Sequence, residues 1–295
     1  MSKYILFGDA HLRNDRPLAR LDLDWMQTQR DVLFFIADLA NARHADVIDT
    51  GDNFNTPRVP DEVKSLYLEF VARCNGMVHT IPANHTLPYH QMKNINESSI
   101  GVLASIAKLH TPNLVVHMCD EANEDGRFEH STYLTDDVLL CHTLTFPSED
   151  EIPFYGKATS AQHLMMKYRE AKWILLGDNH HHFLVNEDDR FVINPGTPIP
   201  QVADMLDYEP GVYYIDTEAE EVEWIPVPFD KSMLTNDHIT EQHERDERIA
   251  AFMEAIPKDG KVSLSFEDNF AKAVESSGLD QNALNFIEEI KNAGD

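Results

Sequence analysis

The stretch Leu175-Leu176-Gly177-Asp178-Asn179-His180-His181-His182-Phe183 decides how the rest of the chain is interpreted. Two aliphatic residues lead into a glycine, and a carboxylate and three imidazoles follow, a pattern typical of a buried strand that ends in a tight turn. Carboxylates and imidazoles are common ligands of divalent metals. The same residues would also suit a solvated polar loop, so this stretch alone leaves both interpretations open.

Four earlier apolar stretches end in polar residues of the same kind. They are Tyr4–Phe7 before Asp9 and His11, Val47-Ile48 before Asp52, Met77–Ile81 before Asn84 and His85, and Val138–Cys141 before His142. In α/β sheets, sites form where the carboxyl ends of the strands meet the loops, so we expect these side chains to lie together. Their mixed nitrogen and oxygen donors suit Mn²⁺, Fe or Zn²⁺ better than Mg²⁺ or Ca²⁺ alone.

Hydrophobic periodicity predicts an α/β sheet with helical crossovers. Helices are predicted over 24–42, from Pro60 and Asp61 onward, over 98–109 and over 158–171. Strands are predicted over 4–7, 47–48, 77–81, 114–117, 131–134, 138–142 and 173–176, with hairpins at 183–193 and 211–227.

Pro226-Val-Pro228 is the predicted domain boundary. It separates a core over residues 1–230 from a smaller C-terminal region over residues 231–295. In that region we predict a helix over His238–Ile256, a strand over 262–266 and two short helices, 267–275 and 281–292. The first helix carries an apolar stripe of Ile249, Phe252, Met253 and Ile256, which either docks a partner or packs on the core.

The charge of the chain narrows the choice of function. It has 295 residues, 42% hydrophobic and 25% charged, which is ordinary for a globular protein, but its formal net charge is −27. So acidic a surface repels phosphate backbones and argues against sequence-independent nucleic-acid binding by this chain alone. The charge favours either a small substrate or a partner that supplies the surface for DNA.

The cysteines and the termini predict a cytoplasmic location. Three cysteines are scattered without a metal or disulfide spacing, which is typical of core residues in a reducing compartment. The first residues lack the apolar region of a signal peptide, and no stretch reaches the length of a membrane span. There is no Walker-type loop, so nucleotide hydrolysis by this chain is not expected.

The ordered motifs resemble those of the calcineurin-like metallophosphoesterases. They are Asp9-Ala-His11, Gly51-Asp52, Asn84-His85, His142 and Gly177-Asp-Asn-His180. Among these enzymes the chain is most similar to the nuclease subunit of SbcCD-type DNA repair complexes and to its phage recombination counterparts. The turn Asn194-Pro-Gly-Thr-Pro198 and the following Gly211-Val-Tyr213 also resemble that branch. The resemblance covers residues 1–230 and implies a four-layer αββα sandwich; for a phage protein, the location would be the host cytoplasm.

The resemblance also implies a site with two divalent metal ions, most consistent with Mn²⁺. Asp52 would bridge the two ions; Asp9, His11 and His180 would complete the first site, and Asn84, His142 and Asp178 the second. His85 would be the catalytic histidine, which protonates the leaving oxygen or orients the phosphate. His182, two residues beyond the motif, is a further candidate for substrate binding.

Three positions depart from the motifs of the family. Thr86 and Asn55 replace carboxylates that lie outside the ligand set, and Asp178 replaces a histidine. Asp178 is still able to coordinate, as a harder oxygen ligand that favours Mn²⁺. The losses at positions 55 and 86 leave open an alternative in which the protein is a weakened enzyme or a metal-binding scaffold.

The resemblance implies a DNA exonuclease and endonuclease subunit for end processing and recombination. It would work with an SMC-like coiled-coil ATPase that binds DNA, and would form a homodimer through helices like those at 61–74 and 98–109. A phosphatase of the same superfamily is the alternative enzyme, although the phosphatase motif G-D-x-V-D-R-G is absent at Gly51. Because no apolar stretch is long enough to span a membrane, no association with a membrane is expected.

Overall fold

The computed structural model describes residues 3–109, 113–121, 129–153, 157–237, 239 and 245–249. The chain separates into two compact units, Met1–Thr235 and Asn236–Asp295. In the second unit residues 245–249 are helical, while most of the helix predicted over His238–Ile256 and the elements predicted after it lie outside the described residues. No helix among the described residues is long and apolar enough to cross a membrane. The predicted boundary after residue 230 stays a prediction.

The first unit contains fourteen strands and four α-helices among its described residues. The strands are β1 (Lys3–Phe7), β2 (Asp46–Asp49), β3 (Val78–Thr80), β4 (Leu114–Val116), β5 (Asp120–Glu121), β6 (His130–Tyr133), β7 (Val138–His142), β8 (Thr145–Phe146), β9 (Thr159–Ser160), β10 (Trp173–Gly177), β11 (Phe183–Glu187), β12 (Arg190–Asn194), β13 (Gly211–Asp216) and β14 (Glu221–Pro226). The helices are α1 (Trp25–Arg43), α2 (Asp61–Arg73), α3 (Ser99–Leu109) and α4 (Ala161–Lys167).

Two six-stranded sheets form the frame of this unit. The first has the order β14-β13-β1-β2-β3-β4, and its strands β1 to β4 are parallel. The second has the order β11-β12-β10-β7-β6-β5, with β12, β10 and β7 parallel. Parallel neighbours end at one edge of a sheet, so the loops after β1, β2 and β3 meet on the first sheet and those after β7 and β10 meet on the second.

Side-chain alternation along the strands builds three separate cores. Ile5 and Phe7 of β1 belong to a core between the first sheet and helices α1 to α3, whereas Tyr4 and Leu6 face the second sheet. The other face of the second sheet forms a third core with α4. Because successive side chains of a strand point to opposite faces, both sheets are buried on two sides. The layers are therefore helix, sheet, sheet and helix, which confirms the predicted αββα fold.

Sequence signals at the helix ends explain the boundaries of α1 and α4. The Asp24 side chain accepts a hydrogen bond from the Gln27 backbone N–H and begins α1, and His44, in the left-handed conformation, ends it. Helix α4 is shorter than the predicted span 158–171. Residues Thr159 and Ser160 pair with β8 instead, and the Ser160 side chain then caps the helix. The helix ends at Lys167 because Tyr168 leaves the helical conformation.

Candidate metal centre

The predicted ligand residues meet at the seam between the two sheets. Asp9 and His11 follow β1, and their backbone N–H groups donate to the carbonyls of Gly51 (3.0 Å) and Asp52 (2.9 Å) in the loop after β2. From the second sheet, the backbone N–H of Asp178 donates to both carboxylate oxygens of Asp9, at 3.2 and 3.1 Å. The loops of the two sheets are thus tied to each other through the main chain and one buried carboxylate.

Several of these residues have an unusual backbone conformation. Asp9, His11, Asp52 and Asp178 have φ values of 51°, 45°, 48° and 87°, in a region that non-glycine residues rarely adopt. Each such residue costs on the order of 1–3 kcal/mol, and strain of this kind concentrates at functional sites. Four of the ten described non-glycine residues with positive φ lie at this seam, which makes it a candidate functional centre.

The first group of converging ligands consists of Asp9, His11 and His180. One potential ligand atom from each lies within 4.8 Å of the others, and the two Nε2 atoms of His11 and His180 are 3.1 Å apart. Burial lowers the pKa of His11 to about 3 and also lowers the pKa of His180. Both imidazoles are therefore neutral at pH 7, the form that binds metals.

The second group consists of Asp52, Asn84, His142 and Asp178. The Nε2 atom of His142 lies 3.4 Å from Asp52 Oδ2, 3.2 Å from Asn84 Oδ1 and 3.9 Å from Asp178 Oδ1. The amide nitrogen of Asn84 donates to Asp178 Oδ1 at 3.1 Å. Asp178 thus lies beside Asn84 and His142, and its assignment as a metal ligand stays a prediction.

Asp9 takes part in both groups, which the sequence-based assignment did not anticipate. Its carboxylate lies within 4.8 Å of ligand atoms of Asp52 and His142 as well as of His11 and His180. Asp9 therefore stands between the two ligand groups, with Asp52 beside it in the second. Either carboxylate, Asp9 or Asp52, is placed where it could bridge two bound ions.

The main chain of the first sheet orients the imidazole of His142. Its Nδ1 lies 2.8 Å from the Thr50 carbonyl, which directs Nε2 toward Asp52 and Asn84. Two glycines leave room for this ring: a Cβ at Gly177 would lie 2.6 Å from His142 Nδ1, and one at Gly51 would lie 3.0 Å from it. Gly51 also has a φ of +104°, which favours glycine.

The charges of the centre fit bound cations. Burial first, then the neighbours Asp52 and Asp178, raises the pKa of Asp9 well above its ordinary value, although His142 lowers it. Burial opposes ionisation of Asp52, but His142, His11 and His85 lower its pKa to about 2. Burial likewise opposes charge on His142, yet Asp52, Asp178 and Asp9 raise its pKa to about 10. Several carboxylates buried together are stable only beside positive charge, and the nitrogen and oxygen donors present suit two divalent ions.

His85 lies at the open side of the centre. Its ring is exposed and sits 4.8 Å, centroid to centroid, from the ring of His11. Its backbone N–H donates to Asp52 Oδ1 at 3.0 Å, and its Nδ1 lies 3.4 Å from the Asn55 carbonyl. The Asn55 carbonyl thus lies beside the imidazole of His85. Thr86 instead hydrogen-bonds the backbone of Ala83 and closes the turn.

The loop after β10 is held by two buried asparagines. The side chain of Asn194 donates to the carbonyls of Asn179 (2.6 Å) and His181 (2.8 Å), and the side chain of Asn179 donates to the Thr145 carbonyl at 2.9 Å. His182 stacks on Trp224 with ring centroids 3.9 Å apart, and burial lowers its pKa. A substrate contact by His182 stays a prediction.

Sequence reasoning missed one buried network beneath the centre. Asp49, at the end of β2, accepts hydrogen bonds from Tyr67 Oη (2.7 Å), the Gly51 N–H (3.1 Å) and Asn53 Nδ2 (3.3 Å). Burial raises the pKa of Asp49 to about 6. The available signal was a carboxylate directly after the buried apolar residues Val47 and Ile48, because a buried charge needs partners.

Comparison with known proteins yields only distant structural similarity. No protein-family model matches the chain, and no curated protein matches it. An archaeal phosphodiesterase is 16% identical, with 76% of this chain and 99% of that chain covered and a TM-score of 0.42. Vps29 from Entamoeba histolytica, solved with zinc, is 12% identical (77% and 99% covered, TM-score 0.34). A predicted phosphoesterase from Streptococcus pneumoniae is 12% identical (76% and 97% covered, TM-score 0.32). At these values the αββα assignment rests on the chain's own sheets and cores.

Proposed function

We propose that this protein is a metal-dependent phosphodiesterase that uses two divalent ions. The observation that carries the proposal is the convergence of two ligand groups, Asp9 with His11 and His180, and Asp52 with Asn84, His142 and Asp178. These residues come from five strand ends on two sheets. Close-packed cores do not need buried carboxylates and imidazoles to gather at one point, whereas phosphoester hydrolysis does.

The two ions would supply an activated water and neutralise the charge on the phosphate, as two-metal sites about 3.5–4 Å apart do. The protein itself orients the ligand side chains before any metal binds. His142 presents Nε2 because its Nδ1 faces the Thr50 carbonyl, and the rings of His11 and His180 direct their Nε2 atoms at each other. Asp9 belongs to both groups and Asp52 lies beside it in the second, so these two carboxylates would help to hold both ions.

His85 is the proposed proton donor or phosphate-orienting group. It is exposed beside the ring of His11, so a substrate phosphate at the centre is within its reach. The hydrogen bond from its backbone N–H to Asp52 fixes its main chain relative to a carboxylate of the second group. A general acid so placed typically contributes about 10²–10⁴ in rate.

DNA is the proposed substrate, Mn²⁺ the proposed metal and an SMC-like ATPase the proposed partner. The sequence motifs support this branch, and the net charge of −27 supports a division of labour in which the partner holds the DNA. In this proposal the protein acts as a homodimeric exonuclease and endonuclease, and the region from residue 231 onward docks the ATPase. Asp178, an oxygen ligand where the family has histidine, favours Mn²⁺.

The decisive experiment compares three substrates with the purified full chain and added Mn²⁺: single-stranded DNA, a chromogenic phosphodiester and a phosphomonoester. We expect hydrolysis of the two diesters, abolished by chelation and by substitution of Asp52→Asn. Turnover of the monoester alone would replace the proposal with a phosphatase. Absence of turnover together with tight Mn²⁺ binding would replace it with the scaffold function.

A further inference from the structure

The hydrogen bonds of Asp49 reach helix α2 and the loop after β2. Its carboxylate is fully buried and accepts from Tyr67 on α2, from the Gly51 N–H and from Asn53. The same Asn53 amide donates to the Thr80 hydroxyl of β3 at 3.2 Å. Neither Asp49 nor Tyr67 belongs to the converging ligand groups, so the network has no direct role in metal binding.

The residues that this network fixes are those around Asp52. Gly51 and Asp52 both have a left-handed backbone, with φ values of 104° and 48°, and Asn53 follows directly. A non-glycine residue in this conformation is unfavourable on its own, so surrounding contacts must impose it. Asp49 holds the residues on both sides of Asp52, through the backbone of Gly51 and the side chain of Asn53.

Tyr67 gives the network a rigid support. Its ring is fully buried and packs edge-on against Phe54, with centroids 5.7 Å apart, and lies 5.7 Å from Phe70. A phenol wedged in this way has one direction for its hydroxyl, toward Asp49 Oδ2 at 2.7 Å. The position of α2 is thereby transmitted to the turn that carries Asp52.

We propose that Asp49 and Tyr67 are positioning residues that hold Asp52 in the geometry in which it would bind divalent metal. The inference rests on the proposed function, since it concerns the same centre. An aspartate is required because its two oxygens accept three donors, while an asparagine offers one oxygen and turns a donor toward the others. Buried partners of this kind around metal ligands typically change metal affinity about 10–100-fold.

The test measures Mn²⁺ affinity and stoichiometry by calorimetry, and the magnetic coupling of the two ions by electron paramagnetic resonance. The variants are Asp49→Asn and Tyr67→Phe, the second of which keeps the carboxylate and changes only one hydroxyl. The matched control is Asp46→Asn, at the start of the same strand, where a buried carboxylate accepts the Met77 N–H at 2.7 Å. Asp46 is at the strand end remote from the ligand loops.

We expect Asp49→Asn to weaken Mn²⁺ binding about 10–100-fold and to alter the coupling between the ions, with a smaller change in Tyr67→Phe. Asp46→Asn should keep the wild-type affinity and coupling. If Asp49→Asn does not fold, Tyr67→Phe decides. Unchanged affinity and coupling in Tyr67→Phe and in any folded Asp49→Asn would overturn the inference while the wild-type protein still binds two ions. A wild-type protein that binds no Mn²⁺ would instead overturn the proposed function together with the inference.

Discussion

Replacing Gly177 with alanine is expected to disturb the second ligand group without touching a ligand. The added Cβ would lie 2.6 Å from His142 Nδ1, 2.7 Å from Thr50 Oγ1 and 2.9 Å from the Thr50 carbonyl oxygen. All three are closer than van der Waals contact allows. Gly177 ends strand β10 outside the left-handed region, so the change acts by crowding alone.

The magnitude follows from two effects. Crowding a packed interior costs about 1–3 kcal/mol, and breaking the buried contact between His142 and the Thr50 carbonyl costs about another 1–3 kcal/mol. We therefore expect the free energy of unfolding to fall by about 2–6 kcal/mol, and the thermal midpoint by about 2–4 °C for each kcal/mol. Because the displaced imidazole is a ligand, Mn²⁺ affinity should fall about 10–100-fold.

Gly76→Ala is the matched control for this prediction. Its Cβ would meet Asp46 Oδ1 at 2.6 Å and the Ala45 carbonyl oxygen at 2.8 Å, a comparable collision at the opposite end of the strands. Both variants should lose stability in denaturant titrations, but only Gly177→Ala should lose Mn²⁺ affinity in calorimetry. A folded Gly177→Ala protein with wild-type affinity would refute the role given to the His142 orientation.

Three further outcomes are expected. His85→Ala should lower the turnover of a chromogenic phosphodiester about 10²–10⁴-fold with metal content unchanged by atomic absorption, and loss of metal would mean that His85 is a ligand. The pKa of His142, about 10 in the folded protein against 6.5 ordinarily, keeps its Nε2 protonated at neutral pH. Mn²⁺ must displace that proton, so calorimetric affinity should rise as pH increases from 6 to 9, by up to about tenfold per unit, and a flat profile would contradict this charge assignment. Trp173→Ala, which removes a fully buried ring stacked at 4.2 Å on Phe191, should cost about 3–5 kcal/mol in urea unfolding, and a loss under about 1 kcal/mol would show that the core between the sheets adapts.

Most of the fold could be predicted because local signals and tertiary packing agree. The strands under the centre are short and mostly apolar, and each predicted strand from β1 to β4 is present. The two predicted hairpins are also present, as β11 with β12 and β13 with β14. Elements that depend on distant pairing were missed: β5, β8 and β9 have two residues each, too few for a periodic pattern.

The site was predictable as residue types but not as geometry. Sequence motifs selected the residues that converge, because each follows a strand. The position of Asp9 between both groups depends on the hydrogen bonds from the Asp178 backbone, which join chain segments 169 residues apart. The support of His85 by the Asn55 main chain is likewise invisible in the sequence, because a carbonyl belongs to every residue type.

The seam location of the centre also has a consequence for folding. Asp9 and Asp52 come from the first sheet, whereas His142 and His180 come from the second, and His11 and His180 are 169 residues apart in the chain. Such a site exists only after both sheets have formed and docked, so a cation binds the finished sandwich and none of its parts. Ions at about 100 times their dissociation constant would then add about 2.7 kcal/mol to the free energy of unfolding. Bound metals would therefore stabilise the contact between the two sheets only after folding, and a chelator would lower the free energy of unfolding.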